Sequence, residues 1–381
     1  MAEGLRDVLL AYGVGPEWVK AFDAAPRESF LPEVMWPFDN GRDLVVSRAR
    51  EPEQWRRWAD TDVAITTQWD DGRHTGTAPG EERTSSGSMP SLVFDMFADL
   101  SVDDGMRVLE VGTGTGWCAA LLSARLGEDN VVSVELDEAV ADRARKALHA
   151  AGWHPEIVVG DGLLGHPGRA PYDRVLVTAA VREVPRAWIE QTRPGGVIVM
   201  PWGTHHSHQD AIVRLVVAED GTASGRFTRL AQFMHIRSHR LEVRLADYIP
   251  GNGWPDDTRA SVTGLTASEI VDDPTITFVL SLLLPGCVRV PGHNDDGTRA
   301  MWLYGLGGRS WAAVYFDETS RVFQGGPRDL WDEVEAAHRW WTERGRPGHT
   351  EFGLTVTAGG HQKAWLGDPS EPVPRAASAV R

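Results

Sequence analysis

Apolar positions recur along this chain with the helical period in some stretches and as short continuous runs in others. In "PSLVFDMFADL", Val93, Met96, Phe97 and Leu100 stand at i, i+3, i+4 and i+7, one helical face, and Pro90 suits a first helical turn. "MRVLEV" follows as a short apolar strand, then the turn "GTGTG", a helix "WCAALLSARLG", a strand "NVVSVEL" and a helix "DEAVADRARKALHAAG". Next come strand "EIVVG", loop "DGLLGHPGRAP", strand "DRVLVTA", a short helix around "PRAWIEQT", and strands "GGVIVMPWG" and "DAIVRLVVAED". Strands alternating with helices predict a parallel sheet covered on both faces, with the late paired strands as antiparallel edges.

Upstream, residues 1–38 read as helical and residues 39–88 as irregular, polar and Trp-bearing. Near residue 235 the pattern changes. Residues 236–367 hold strand-like runs ("MWLYGL", "WAAVYF", "RVFQGG"), an amphipathic helix with Leu330, Val334, Ala337 and Trp341 on one face, and the hairpin-like pair "FGLTVT" and "HQKAWLG". The expected organisation is an α/β, Rossmann-like domain over 1–235, with 39–88 as insertion and substrate loop. A smaller α+β domain over 236–367, expected to serve substrate recognition, and a flexible Pro/Ala-rich tail over 368–381 complete it.

The length of 381 residues agrees with two domains. A net charge of −16 argues against nucleic acid as a partner, because such affinity comes from clustered Lys and Arg. A local basic spot such as "HIRSHRLEVR" (His235–Arg244) does not reverse that field and reads as a solvated strand face. Cys118 and Cys287 sit among apolar residues and suggest neither a disulfide framework nor a metal site. "MAEGLRDVLL" lacks the pattern of a signal peptide, and no apolar run approaches the ~18 residues of a membrane span, so a cytoplasmic protein is expected. The 16 Trp either pack the second domain or line a surface, packing being the commoner case.

The chemistry concentrates at "EVGTGTGW", which follows a strand and opens a helix. Gly112, Gly114 and Gly116 are spaced G-x-G-x-G, not G-x-G-x-x-G. Glu110 ends the preceding strand, where a carboxylate would repel a pyrophosphate and favour a cationic ligand. Glu135 ends the next strand, suited to ribose hydroxyls, and Asp161 in "GDG" follows the third, suited to an adenine amine. Three acids at successive strand ends together with the glycine turn point to S-adenosylmethionine.

These residues resemble the protein-L-isoaspartate O-methyltransferases over roughly residues 10–215. "FDAAPRESFLP", "RVLEVGTGTGW", "VVSVELD", "VVGDGLLG", "APYDRVLVTAA" and "GGVIVMPWG" occur in the family's order and spacing. The resemblance implies that Glu110, Gly112, Thr113, Gly114, Gly116, Glu135, Leu136, Asp161, Gly162 and Thr178 bind S-adenosylmethionine. The product would be S-adenosylhomocysteine, with no metal. "SMP" (Ser88–Pro90) aligns with the family's Ser-Gln-Pro, so Ser88, with Ser86, Ser85 and Thr84 upstream, is expected beside the substrate carboxylate. Met89 departs from the family's Gln, and residues 236–367 are expected to have no counterpart in the repair enzyme.

The Ser-rich element, the "TQWDDG" upstream of it and the C-terminal extension look like one branch. Its members accompany ribosomally made modified peptides (lanthipeptides, lasso peptides, ATP-grasp-crosslinked peptides). They methylate an Asp in the modified precursor, leading to aspartimide or isoaspartate. The expected partner is thus an Asp-containing precursor peptide, already cyclised or crosslinked, with the enzyme favoured as a monomer. The alternatives are repair of isoaspartyl sites in damaged proteins, and a non-catalytic precursor-binding protein. A carboxylate is ionised at pH 7 and needs no general base, so the hydroxyls are read as positioners. Thr178 either borders the ligand or is a satisfied strand-end Thr. "EPEQWRRWADTD" either caps the cleft or is a packed insertion helix. The histidines of "WGTHHSHQD" read as a polar surface loop, and Trp340–Trp341 as core of the second domain.

Overall fold

The computed structural model describes residues 4–374 apart from 242, 250–256 and 295. Two compact units share the chain. The first takes the residues up to Ala179, Pro185–Met200 and Arg214–Ala223; the second takes Ala180–Val184, Pro201–Val213 and the chain from Ser224 onward. The chain therefore passes between the units several times rather than once near residue 235.

In the first unit, α1 (Leu5–Tyr12) and α2 (Pro16–Ala24) form as expected, but helix does not continue to residue 38. Pro26 and Pro32 each lack the N–H a helix interior needs, and the chain turns into strand β1 (Val34–Asp39), with Met35 and Trp36 buried. Residues 39–88 are also more regular than expected. They contain helix α3 (Pro52–Ala59) and strands β2 (Ile65–Trp69) and β3 (Arg83–Gly87). These strands extend an antiparallel sheet in the order Arg42–Asp43, β1, β2, β3. Four of the five β2 residues, Ile65, Thr66, Gln68 and Trp69, are buried, so there was no polar/apolar alternation to read. Helix α3 is a packed element: Trp55 is fully buried in a cluster with Leu31, Met35, Val46, Ala59 and Ile65.

The main sheet of this unit follows the predicted pattern. Strands β4 (Val108–Val111), β5 (Val131–Glu135), β6 (Glu156–Val159), β7 (Tyr172–Val177) and β8 (Thr192–Trp202) lie in the order β8-β7-β4-β5-β6, all parallel. Helix α4 (Pro90–Leu100) leads into β4, and α5 (Trp117–Leu126), α6 (Glu138–Ala150) and α7 (Arg186–Glu190) connect β4 to β5, β5 to β6 and β7 to β8. The α4 face foreseen from spacing is buried at every position: Val93, Met96, Phe97 and Leu100. Successive strands run outward from β4 through β5 to β6, then from β7 on its other side. That reversal opens a crevice at the carboxyl ends of the strands.

The second unit contains an antiparallel sheet of β9 (Arg259–Val262), β10 (Cys287–His293), β11 (Arg299–Gly305), β12 (Trp311–Tyr315) and β13 (Arg321–Gly325), ordered β9-β13-β12-β11-β10. Helices α8 (Pro274–Leu283) and α9 (Leu330–Glu343) and the hairpin Phe352–Val356/Gln362–Leu366 belong to it. The predicted α9 face is buried at Leu330, Val334, Ala337 and Trp341; Trp340 is only half-buried, under the Arg344 guanidinium. Helix α8 carried no amphipathic signal because every residue from Ile276 to Leu283 is buried.

Three expectations for this unit are corrected. "HIRSHRLEVR" is not a strand face: its described part holds one isolated bridge, His235 with Ala180, followed by a short turn of 3-10 helix at Arg237–His239. His206 is not in a solvated loop; it is fully buried, its Nδ1 within 2.8 Å of the Cys287 carbonyl, and burial holds its imidazole down at about 3. Residues 368–374 are not loose: Pro372 bridges to Trp365 and Val373 is buried, while 375–381 lie outside the described residues. Among the described residues no group of three His, Cys, Asp or Glu could hold a metal ion, and no helix is long and apolar enough to cross a membrane. Both cysteines are free; Cys287 is buried, its thiol pushed up to about 12, and Cys118 is partly buried.

Candidate functional site

Strand β4 runs directly into the glycine turn, at the mouth of the crevice in the first unit. Gly112 has φ +97°, a backbone conformation that side chains disfavour, and a Cβ there would meet Thr178 Oγ1 at 2.8 Å. Thr178 Oγ1 in turn donates to the Gly112 carbonyl at 2.7 Å. Thr178 thus braces the turn from the end of β7, a satisfied strand-end Thr with a structural task. Gly114 has φ +54°, and a Cβ there would lie 3.3 Å from the Ser86 carbonyl and 4.0 Å from Ser85 Oγ. The Ser-rich strand β3 therefore lies directly against the glycine turn. Gly116 ends the turn in left-handed conformation and caps α5.

The three acids are brought to one sheet edge, but their states differ. Glu110 is one residue short of the end of β4, paired in register with Ser133, and fully buried. Ser133 Oγ donates to its Oε2 at 2.5 Å and shares a second hydrogen bond with Thr113 Oγ1 at 2.6 Å. Its Oε1 has no hydrogen-bond partner among the described residues. Burial pushes the Glu110 carboxyl up to about 8; the Ser133 hydrogen bond works against this and the Glu135 charge adds to it. The carboxylate expected from sequence is thus a carboxylic acid at neutral pH in the ligand-free protein. Glu135, half-buried at the end of β5, accepts from the Gly114 amide through Oε2 and from the Asp137 amide through Oε1, both at 3.0 Å. Asp161 is exposed and accepts from the Leu163 amide at 2.9 Å, while Gly162 packs on Val111, where a Cβ would meet Cγ1 at 2.5 Å. Leu136 and Leu164 stand exposed beside these acids, apolar side chains at a place where a flat ring could cover them.

Glu110 has a consequence for pH. Its proton is held in the folded protein up to about 8 and released near the ordinary carboxylate value when unfolded. Its contribution to stability is therefore complete below the unfolded value and is lost as pH rises through about 8. The ligand-free protein is expected to lose thermal stability between pH 5 and 8 with a slope of up to ~1.4 kcal/mol per pH unit. Glu110→Gln should flatten that slope; melting curves of both proteins across this range check it, and parallel profiles would show that Glu110 does not titrate there.

The hydroxyl residues of "RTSSGSMP" are distributed unequally. Ser85 is buried, its Oγ accepting from Thr67 Oγ1 at 3.3 Å, whereas Ser86 and Ser88 are half-buried. Thr84 Oγ1 is engaged by the hairpin, donating to Gln68 Oε1 at 2.9 Å and accepting from the Asp71 amide at 3.1 Å. "TQWDDG" is the facing strand and its bend: Asp70, Asp71 and Gly72 all have positive φ, and Asp70 Oδ1 accepts from the Glu82 amide at 2.7 Å.

Sequence reasoning missed the residue that holds this loop. Arg27, 3% exposed, donates to the carbonyls of Thr61 (2.9 Å), Val63 (2.8 Å), Gly87 (3.3 Å) and Ser88 (3.0 Å). Burial lowers it to about 10, with Asp62 pulling the other way, so it remains charged at neutral pH. The available signal was an arginine inside the motif "PRESF", but its partners lie 34 to 61 residues away along the chain.

The sequence profile of the family described as Protein-L-isoaspartate(D-aspartate) O-methyltransferase (PCMT) matches residues 67–240. Among curated relatives, a protein-L-isoaspartate O-methyltransferase of Xanthobacter autotrophicus is 39% identical over 165 residues, 43% of this chain and 68% of the relative. Those of Thermotoga maritima and Thermococcus onnurineus are 35% identical over 203 residues and 39% identical over 137 residues. These matches take up 53% and 35% of this chain and 55% and 61% of the respective relatives. The chain thus spans about three fifths of the length of such relatives. A solved structure titled protein-L-isoaspartate O-methyltransferase shares the fold with a TM-score of 0.55 at 23% identity, covering 96% of this chain and 99% of that one. The fold likeness therefore extends through the C-terminal residues, contrary to the expectation that 236–367 have no counterpart.

Proposed function

Because this chain belongs to the protein-L-isoaspartate O-methyltransferase family, we propose that it is an S-adenosylmethionine-dependent carboxyl O-methyltransferase. Its substrate on this reading is an Asp side chain of a modified precursor peptide. The observation that carries the reading is the seating of the Ser86 carbonyl and the Ser85 hydroxyl on Gly114, which sets a hydroxyl-rich strand beside the turn that would hold the methyl donor. The cofactor supplies a methyl on a sulfonium, which a carboxylate oxygen takes by in-line displacement as S-adenosylhomocysteine leaves.

The residues present fit that cofactor. Glu135 offers two carboxylate oxygens at a strand end for the ribose hydroxyls. Asp161, Leu136 and Gly162 would flank the adenine, and Glu110, hydrogen-bonded like Thr113 to Ser133, would give up its proton to face the cationic amino-acid end through Oε1. The positive φ of the turn's glycines shapes it and lets Thr178 and Ser86 approach it closely. Ser88, with Ser86 and Ser85, orients the substrate carboxylate by hydrogen bonds that leave its charge and nucleophilicity in place. Thr84 serves them as framework. Catalysis on this reading is mostly alignment, since the attacking group is ionised already. The ester so formed can lose methanol to the next backbone nitrogen, giving aspartimide, and water reopens that ring to isoaspartate.

Ser88→Ala, and the pair Ser85→Ala with Ser86→Ala, are expected to slow methyl transfer by roughly 10–100-fold, the worth of one or two hydrogen bonds to a charged group, while S-adenosylhomocysteine binding stays the same. Mass spectrometry of crosslinked or cyclised Asp-containing precursors with cofactor checks the substrate. A methyl-ester gain followed by methanol loss is the expected result. Repair of isoaspartyl sites in damaged proteins is the second reading, and the relatives' names, protein-L-isoaspartate O-methyltransferase, agree with either. Faster turnover of plain isoaspartyl peptides than of any precursor would decide for it. Failure to bind S-adenosylhomocysteine by calorimetry would instead leave a non-catalytic binding protein.

A further inference from the structure

Gln68 stands in "TQWDDG", on the strand facing the hydroxyl-rich segment, and is 7% exposed. Both ends of its amide are engaged. Oε1 accepts from Thr84 Oγ1 at 2.9 Å, and Nε2 donates to Asp137 Oδ2 at 3.2 Å. A carboxylate only accepts, so the nitrogen must face Asp137 and the amide has a single workable orientation. Gly72, with φ +80°, gives it room: a Cβ there would lie 3.0 Å from Nε2. Beyond Gln68 the hydrogen bonds continue. Asp137 Oδ1 caps α6 by accepting from the Val140 amide, its own amide donates to Glu135 Oε1, and Glu135 Oε2 accepts from the Gly114 amide. Gly114 lies under the Ser86 carbonyl. The path is therefore a closed circuit: Thr84, Gln68, Asp137, Glu135, Gly114 and back to strand β3.

We infer that Gln68 is a positioning residue that couples the carboxylate offered to the cofactor's ribose to the placement of the substrate-facing strand β3. This rests on the proposed cofactor reading. Each Glu135 oxygen accepts from one amide and keeps a further lone pair, so ribose hydroxyls would join the Gly114 and Asp137 amides on it and shift the carboxylate. The amide bonded to Oε1 would move with it, and it belongs to Asp137, the residue Gln68 holds. Any shift of the Asp137 peptide would be passed through the buried Gln68 amide, bonded at both ends, to Thr84 and its strand. Cofactor binding thereby tightens β3 before the peptide arrives, and the expected order of binding is cofactor first.

The test is amide hydrogen exchange over residues 83–88 with and without S-adenosylhomocysteine, in the full chain. The wild-type protein is expected to show exchange slowed at least about tenfold by S-adenosylhomocysteine. Gln68→Met, similar in length but unable to hydrogen-bond, should bind S-adenosylhomocysteine within about threefold of wild type yet show less than about twofold slowing. Thr84→Val cuts the same circuit at its other side and should behave alike, so that poor folding of one variant does not end the test. A merely structural role would lower the melting temperature and leave the ligand-induced slowing intact. That result in either folded variant overturns the inference, as does no slowing in a wild-type protein that binds S-adenosylhomocysteine. Absence of S-adenosylhomocysteine binding to wild type overturns the cofactor reading itself, and the inference with it.

Discussion

Gly112→Ala is expected to weaken S-adenosylhomocysteine binding and slow methyl transfer together, each by about 30–100-fold. Two costs combine at this position. The backbone at φ +97° lies outside the region a β-carbon tolerates, worth ~1–3 kcal/mol. The new methyl would also sit 2.8 Å from Thr178 Oγ1, and that hydroxyl cannot swing aside without giving up the Gly112 carbonyl it holds. Together they come to ~2–3 kcal/mol, about 1.4 kcal/mol for each tenfold change. The turn would relax by moving away from Thr178, and the cradle would lose its shape. Thr178→Ala in the same protein removes the close contact but not the backbone strain, so it should recover part of the loss. Calorimetry on the single and double variants distinguishes the two costs; wild-type affinity in Gly112→Ala would mean that the turn does not touch the ligand.

The second large effect is expected at Arg27. Arg27→Met should lower stability by ~3–5 kcal/mol, in line with removing a buried charge that several acceptors face. It leaves the carbonyls of Thr61, Val63, Gly87 and Ser88 without their shared donor. Thermal melts should show a loss on the order of 10 °C. At temperatures where the variant remains folded, activity should fall further than the unfolded fraction explains, because on the proposed function Gly87 and Ser88 belong to the substrate-facing segment. Arg27→Lys should be intermediate: an ammonium keeps the charge but cannot span four carbonyls from two segments as a planar fork does. Equal melting temperatures for Arg27→Met and wild type would remove Arg27 from this role.

The sequence spoke clearly where burial is one-sided and partners are local. The α4 face, the glycine turn and the acids at the ends of β4, β5 and β6 could be located from spacing alone. It was silent on two kinds of feature. Elements buried on all sides, β2 and α8, carry no alternation, so the first looked irregular and the second was only an apolar run. Long-range polar partners leave no periodic trace: Arg27, Gln68 and the state of Glu110 depend on groups that topology alone brings near. Glu110 was read as a strand-end charge facing a ligand. The register sets it beside Ser133 inside the sheet, and that burial, not its position in the motif, governs its protonation.

The way the chain is divided between its two units bears on how a C-terminal truncation should be read. Ending the protein at residue 235 looks like removal of a domain, yet Ala180–Val184, Pro201–Val213 and Ser224 onward belong to the unit being cut. Phe227 would remain while Phe278, packed edge-on at 4.8 Å, would go. The shortened protein would carry a remnant hydrophobic core open to water, a species more prone to aggregate than to report on substrate choice. Inactivity of such a fragment would measure broken folding, and a role for the C-terminal residues in recognising peptides has to be sought with point substitutions on the intact chain.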